Sequence, residues 1–76
     1  MRLHCLAGDH RASKIISLLI SLDIGCEVIY LDPDNYIQDP KFIKLSPFRK
    51  APVLECEIGA LYETNSILRY IAKAHN

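Results

Sequence analysis

The sequence predicts an α/β domain built on a four-stranded mixed sheet with helices on both faces, in the order βαβαββα. Three observations lead there. A stretch with helical apolar spacing lies between two short β-type segments, Arg2–Leu6 and Cys26–Leu31. Two further short segments meet at Ile58-Gly59 as a hairpin. A second helical stretch follows from Thr64. At 76 residues the chain reads as one domain, 1–76, and its 50% apolar content supplies a core without disulfides or a metal. Nine Lys plus Arg against nine Asp plus Glu leave no formal net charge. Nucleic acid and anionic membrane both select a basic surplus, so neither is expected as a partner.

Each element has its own signal. Arg2–Leu6 is the first strand, broken by Ala7-Gly8-Asp9, where Asp9 is placed to cap a helix. From His10 to about Leu22, Ala12, Ile15, Ile16 and Leu19 share one helical face. Leu18, Ile20 and Leu22 widen that stripe. A helix apolar nearly all round is covered on two sides. These three are the candidates for the second covered side. Asp23-Ile24-Gly25 ends the helix, with Gly25 expected in the left-handed position. Cys26–Leu31 is β-branched and aromatic, a second strand, and Asp32–Asp39 is a loop. Asp39-Pro40 pairs a cap with proline at the first helical position, opening a short helix Pro40–Leu45 that Ser46-Pro47 ends. Pro52–Glu57 and Ala60–Tyr62 form the hairpin, and the last helix carries Ile67, Leu68, Tyr70, Ile71 and Ala74. The right-handed βαβ crossover makes the first two strands parallel. The assembly is the minimal thioredoxin-like arrangement.

Cys5, Cys26 and Cys56 are odd in number and widely spaced. With no CxxC and no Cys/His ligand spacing, they read as buried thiols in a reducing, cytoplasmic setting, and no metal is expected. The longest apolar run, Ile15–Leu22, is eight residues and contains Ser17 and Ser21, whereas a membrane helix needs about 20.

The second half of the chain carries the chemistry. Ser46-Pro47, Lys50, Ala51-Pro52-Val53-Leu54, Glu63-Thr64, Ser66-Ile67 and Tyr70-Ile71 occur in that order. In this pattern the sequence resembles the N-terminal domain of the glutathione transferase superfamily, over nearly the whole chain. The resemblance implies a glutathione site, with glutathione as ligand or substrate. It implies a cis bond before Pro52 and an Ala51 backbone left free to pair with the cysteinyl unit of glutathione. It implies that Thr64 and the free N–H groups of the last helix hold the γ-glutamyl carboxylate, and that Glu63 accepts from the ligand's ammonium. It implies that Arg49 or Lys50 holds the glycyl carboxylate. Each residue also has a plainer role. Pro52 can simply start a strand, Thr64 can simply cap a helix, and Arg49 and Lys50 can be a solvated loop. Arg11 matches a family arginine whose role is more often structural.

The end of the first strand departs from the pattern. Active family members place Tyr, Ser or Cys there, beside the glutathione sulfur. Here the residues are Leu6-Ala7-Gly8-Asp9-His10. The serine-type position falls on Ala7 and the tyrosine-type position near Cys5, so no catalytic residue is assigned. Cys5 is either a redox nucleophile or, the better fit for a strand residue, a buried thiol. The run Arg11-Ala12-Ser13-Lys14 is similar to the Arg-Ala-x-Lys of the transferase-like domain in translation elongation factor 1B gamma subunits. That resemblance implies an assembly module in translation elongation. The competing expectation is the glutathione-binding half of an active, dimeric transferase. Either way the resemblance implies that the family's all-helical second domain lies outside these residues, so that an apolar face of the first or last helix, with Leu18, Ile20 and Leu22 as candidates, is expected to lie open and to invite a protein partner or self-association.

Overall fold

Residue alternation decides which face each strand buries. In β1 (Arg2–Cys5) the side chains of Leu3 and Cys5 are fully buried, and Arg2 and His4 take the opposite face. β2 (Glu27–Tyr30) runs parallel to β1, with Leu3 opposite Val28. β3 (Val53–Cys56) pairs antiparallel on the other side of β1, with Leu3 opposite Leu54. β4 (Gly59–Leu61) completes the hairpin, giving the order β2-β1-β3-β4. The computed structural model describes residues 1–74. The predicted four-stranded mixed sheet and element order are both present.

Helix α1 (His10–Ser21) begins where expected: the Asp9 side chain accepts from the Arg11 N–H at 3.0 Å. Its end corrects the sequence reading. Asp23, not Gly25, takes the left-handed conformation, with φ 55°. The Asp23 and Ile24 amides reach back to the carbonyls of Ile20 and Leu19, at 3.0 and 2.9 Å. This is the two-bond helix terminator, whose left-handed position follows directly after the cap residue Leu22. Asp is one of the few non-glycine residues that tolerates that position.

The segment expected to be all loop also contains a 3₁₀ turn, Tyr36–Gln38. Asp32 winds it: its carboxylate accepts from the Asp34 N–H and the Asn35 side chain, and its carbonyl accepts from Tyr36. Helix α2 (Pro40–Leu45) starts on an Asp39 cap, as predicted. Helix α3 (Thr64–Ala74) was expected to continue to the end, and His75 and Asn76 lie outside the described residues.

Two cores flank the sheet. Leu3, Cys5, Leu54, Ala12, Ile15, Leu19, Ile67 and Ile71 pack between the sheet and the α1/α3 pair. Phe42, Ala51 and Val53 pack on the α2 side, where Tyr36 meets Phe42 edge to face at 5.3 Å. Full burial of one Leu or Ile stabilises by about 1.5–3 kcal/mol relative to exposure. Ile20 and Leu22 are exposed as expected, at 73% and 37%. Leu18 is not. It lies three residues after Ile15, on the side of α1 that turns to α3, and packs partly against the first core.

The Asp9 cap sets an acid limit. Burial alone would raise its pKa; the N–H bond from Arg11, the Arg11 guanidinium and the nearby His10 outweigh this and hold it below the usual value. Its contribution is therefore complete above the unfolded carboxylate pKa of about 3.9 and is lost as pH falls through the lower folded value. Asp9→Ala is expected to cost about 1 kcal/mol at neutral pH. The difference from the parent should vanish in strong acid, as read by urea unfolding across pH.

Candidate functional site

The loop after α2 is built around a fully buried hydroxyl. Ser46 Oγ accepts from the Lys50 N–H and donates to the Lys50 carbonyl, both at 3.0 Å. This side chain closes the turn and fixes where Lys50 leaves it. Arg49 lies at the crest with φ 56°, exposed, and its amide donates to the Ser46 carbonyl. The Ala51–Pro52 bond that follows is cis, as the family resemblance implied. Ala51 is buried in the second core, yet the β1–β3 ladder ends at the His4–Val53 pair. The Ala51 backbone therefore stands beyond the sheet pairing.

The hairpin returns the chain to the same corner. Tyr62 donates its hydroxyl to the Leu45 carbonyl at 2.6 Å, tying the exit of β4 to the end of α2. Glu63 then adopts φ 67°, a left-handed conformation that costs a non-glycine residue roughly 1–2 kcal/mol. Its carbonyl accepts from the Ile67 N–H at 3.0 Å, so Glu63 is where the chain turns into α3. The first N–H groups of a helix have no partner within it.

Arg11, Lys50, Ala51, Pro52, Glu63, Thr64 and Asn65 line one cleft of about 240 Å³ at this helix start. Of the six residues expected to bind glutathione, five are brought together. Arg49 is not in that lining, because the Ser46 turn lifts it to the loop crest. Two lining residues escaped sequence reasoning. Arg11 had been read as structural, and its guanidinium does bond Asp9, at 3.4 and 3.3 Å. Asn65 belongs to no motif; its position in the first turn of α3 was the available signal. The corner thus offers Lys50, an Arg11 already bonded to Asp9, a helix N-terminus and one carboxylate. That set complements a small zwitterion bearing both carboxylates and an ammonium group.

The end of β1 reads Leu6-Ala7-Gly8-Asp9-His10, with neither Tyr nor Ser beside Cys5. Cys5 is fully buried. Burial, then the Asp9 carboxylate, then Cys26 push its pKa up. That is the opposite of what a nucleophilic thiol needs, and with the burial it favours the packed-thiol reading of Cys5 over the redox one. All three cysteines are free, and Cys26 and Cys56 are half-buried. Among the described residues no cluster of three or more His, Cys, Asp or Glu is placed to hold a metal ion. No helix among them is long and apolar enough to cross a membrane.

Comparison with known proteins gives this geometry a family. The model of the glutathione S-transferase N-terminal domain matches residues 7–76. The chain belongs to that family. It is 44% identical over 76 residues to a probable elongation factor 1-gamma 1 of Arabidopsis thaliana, covering 93% of this chain and 17% of that protein. Among solved structures it resembles a diazinon-metabolizing glutathione S-transferase of the silkworm Bombyx mori, with a TM-score of 0.89 at 24% identity. The match covers 99% of this chain and 37% of that one. It also resembles a glutathione transferase homologue from sulfitobacter with bound glutathione, with a TM-score of 0.86 at 18% identity, over 97% of this chain and 36% of that one. The chain spans about a sixth of the length of the elongation factor relatives it matches.

The thiols of this transferase-like domain should react in a fixed order. In the native chain, iodoacetamide at mildly alkaline pH is expected to label Cys26 and Cys56 and to spare Cys5. In urea all three should react. Peptide mass mapping reads the outcome, and rapid native labelling of Cys5 would contradict its burial.

Proposed function

We propose that this domain is a glutathione-site-bearing, protein-interaction module of an elongation factor 1-gamma-type protein, working in translation elongation in the cytoplasm. Glutathione is its ligand, and no metal takes part. The γ-glutamyl carboxylate sits at the start of α3 on Thr64 and the free N–H groups, with the ammonium on Glu63. The cysteinyl backbone pairs with Ala51, held in place by Pro52. Lys50, with Arg49 reaching from the loop crest, meets the glycyl carboxylate.

One observation carries this reading: the cleft joins Lys50, Glu63 and the start of α3, while the end of β1, Cys5 to His10, has no hydroxyl side chain and only a buried thiol. A domain of this kind binds the tripeptide through its carboxylates and ammonium, and leaves its sulfur in the protonation state it has in water. The names of the matched relatives favour elongation over detoxification. The second reading, the glutathione-binding half of an active transferase, rests on the same cleft but lacks a group to stabilise a thiolate. The zero net charge is in keeping with protein and small-molecule partners and with neither nucleic acid nor membrane. Ile20 and Leu22 are the exposed apolar residues available for association with a partner or a second copy.

Retention on immobilised glutathione tests the ligand. The parent chain should be retained and released by free glutathione. Thr64→Ala, correctly folded by circular dichroism, should bind about tenfold or more weakly, the scale of a hydrogen bond to a charged group. A folded parent that is not retained would remove Glu63 and Thr64 as ligand residues.

A further inference from the structure

The polar side chains lining the cleft at the start of α3 fall into separate groups. Glu63, Thr64 and Asn65 come from the turn into α3, and Lys50 comes from the entry to β3. Arg11 completes the polar part, its guanidinium already on Asp9 at 3.4 and 3.3 Å. Ala51 and Pro52 add no polar side chain, and no lining residue is Cys, His, Ser or Tyr.

Main-chain groups are localised as well. Ser46 Oγ takes both the N–H and the carbonyl of Lys50, each at 3.0 Å. Pro52 has no N–H to donate. The β1–β3 ladder ends at the His4–Val53 pair. Of the three residues at this entry, Ala51 is therefore the one with both main-chain groups outside these pairings. Strand pairing reads the main chain, and side-chain specificity needs pockets of its own. A site built to hydrogen-bond a group rejects the analogue that lacks it, and a site with no such contact does not.

We propose, resting on the glutathione reading of this cleft, that the site recognises the two ends of a γ-glutamyl tripeptide and not its central side chain. Its ligand class is γ-glutamyl-X-glycine, of which glutathione is the member with cysteine at X. Glu63 and Thr64 are adjacent, so a carboxylate and a helix N-terminus lie side by side. That pair fits an ammonium and a carboxylate carried on one carbon. A γ-linked glutamyl unit has such a head, and an α-linked one does not. Asn65 adds its side-chain amide to the same end. Ala51 pairs with the main chain of X, which is the same for every X. Lys50 meets the glycyl carboxylate.

Calorimetric titration of the whole chain tests this at neutral pH. S-methylglutathione and γ-glutamyl-alanyl-glycine should bind within about threefold of glutathione, the scale of one weak contact. The α-linked peptide Glu-Cys-Gly keeps the thiol but moves the charges of the head, and should bind about tenfold or more weakly. Amidating the glycyl carboxylate of γ-glutamyl-alanyl-glycine should weaken binding to the parent. A folded Lys50→Ala chain should bind acid and amide alike, since the contact that tells them apart is gone. Glutathione bound about tenfold or more tightly than γ-glutamyl-alanyl-glycine would show that the thiol is read, and would overturn the proposal. Equal binding of the α-linked peptide, or an acid-over-amide preference that survives Lys50→Ala, would overturn it too. Binding of none of these peptides, glutathione included, would remove the glutathione site itself and the proposal with it.

Discussion

The burial of β3 on both faces is the constraint on which the rest of the structure depends. Val53 and Leu54 are adjacent and both fully buried. Strand alternation sends one into the α2 core and the other into the α1/α3 core. A strand held from both sides cannot slip by one residue without exchanging its two cores. Its neighbours are then fixed as well. The Lys50-Ala51-Pro52 entry stands at one end, and the hairpin that leads to Glu63 stands at the other.

Two side chains, through three hydrogen bonds, turn that constraint into a cleft. Ser46 closes the loop before β3 through its bonds to Lys50, and Tyr62 ties the strand after it to the carbonyl of Leu45. Neither residue lines the cleft, yet both decide where its lining comes from. Glu63 bears the conformational cost of the arrangement, since its left-handed φ starts α3 at the cleft that Lys50 and Ala51 also line. The proposed recognition corner is assembled with no Tyr or Ser at the end of β1 and with Cys5 buried. That combination separates binding of a tripeptide from activation of its sulfur, and it is the physical content of the proposed role.

Much of this was legible in the chain itself. Apolar spacing in α1 and α3, the Asp9 and Asp39-Pro40 caps and the hairpin each carry a local signal, and local signals gave the element order. Lys50, the run Ala51-Pro52-Val53-Leu54 and the pair Glu63-Thr64 marked five of the seven cleft residues. The misses have a common cause, which is geometry set by distant partners. The end of α1 turns on which residue lands after the cap, and the tolerance of Asp23 made Gly25 unnecessary. The position of Arg49 depends on a buried serine whose second role, bonding Lys50, has no sequence signature. Leu18 looked like one more exposed residue of a broad stripe, and only the packing of α3 beside α1 covers it. Arg11 enters the cleft because α1 begins next to Pro52 and α3, a proximity that exists only in the folded sheet.

The central claim is that the domain binds glutathione without activating it, and the pKa of the bound thiol measures this most directly. Glutathione at saturating protein concentration would be titrated with pH while its thiolate absorbance is followed. The account predicts binding with a thiol pKa unchanged from that of free glutathione. A bound thiol pKa clearly below the free value would contradict it, because it would require a stabilising group at the end of β1 that neither the buried Cys5 nor Ala7 supplies.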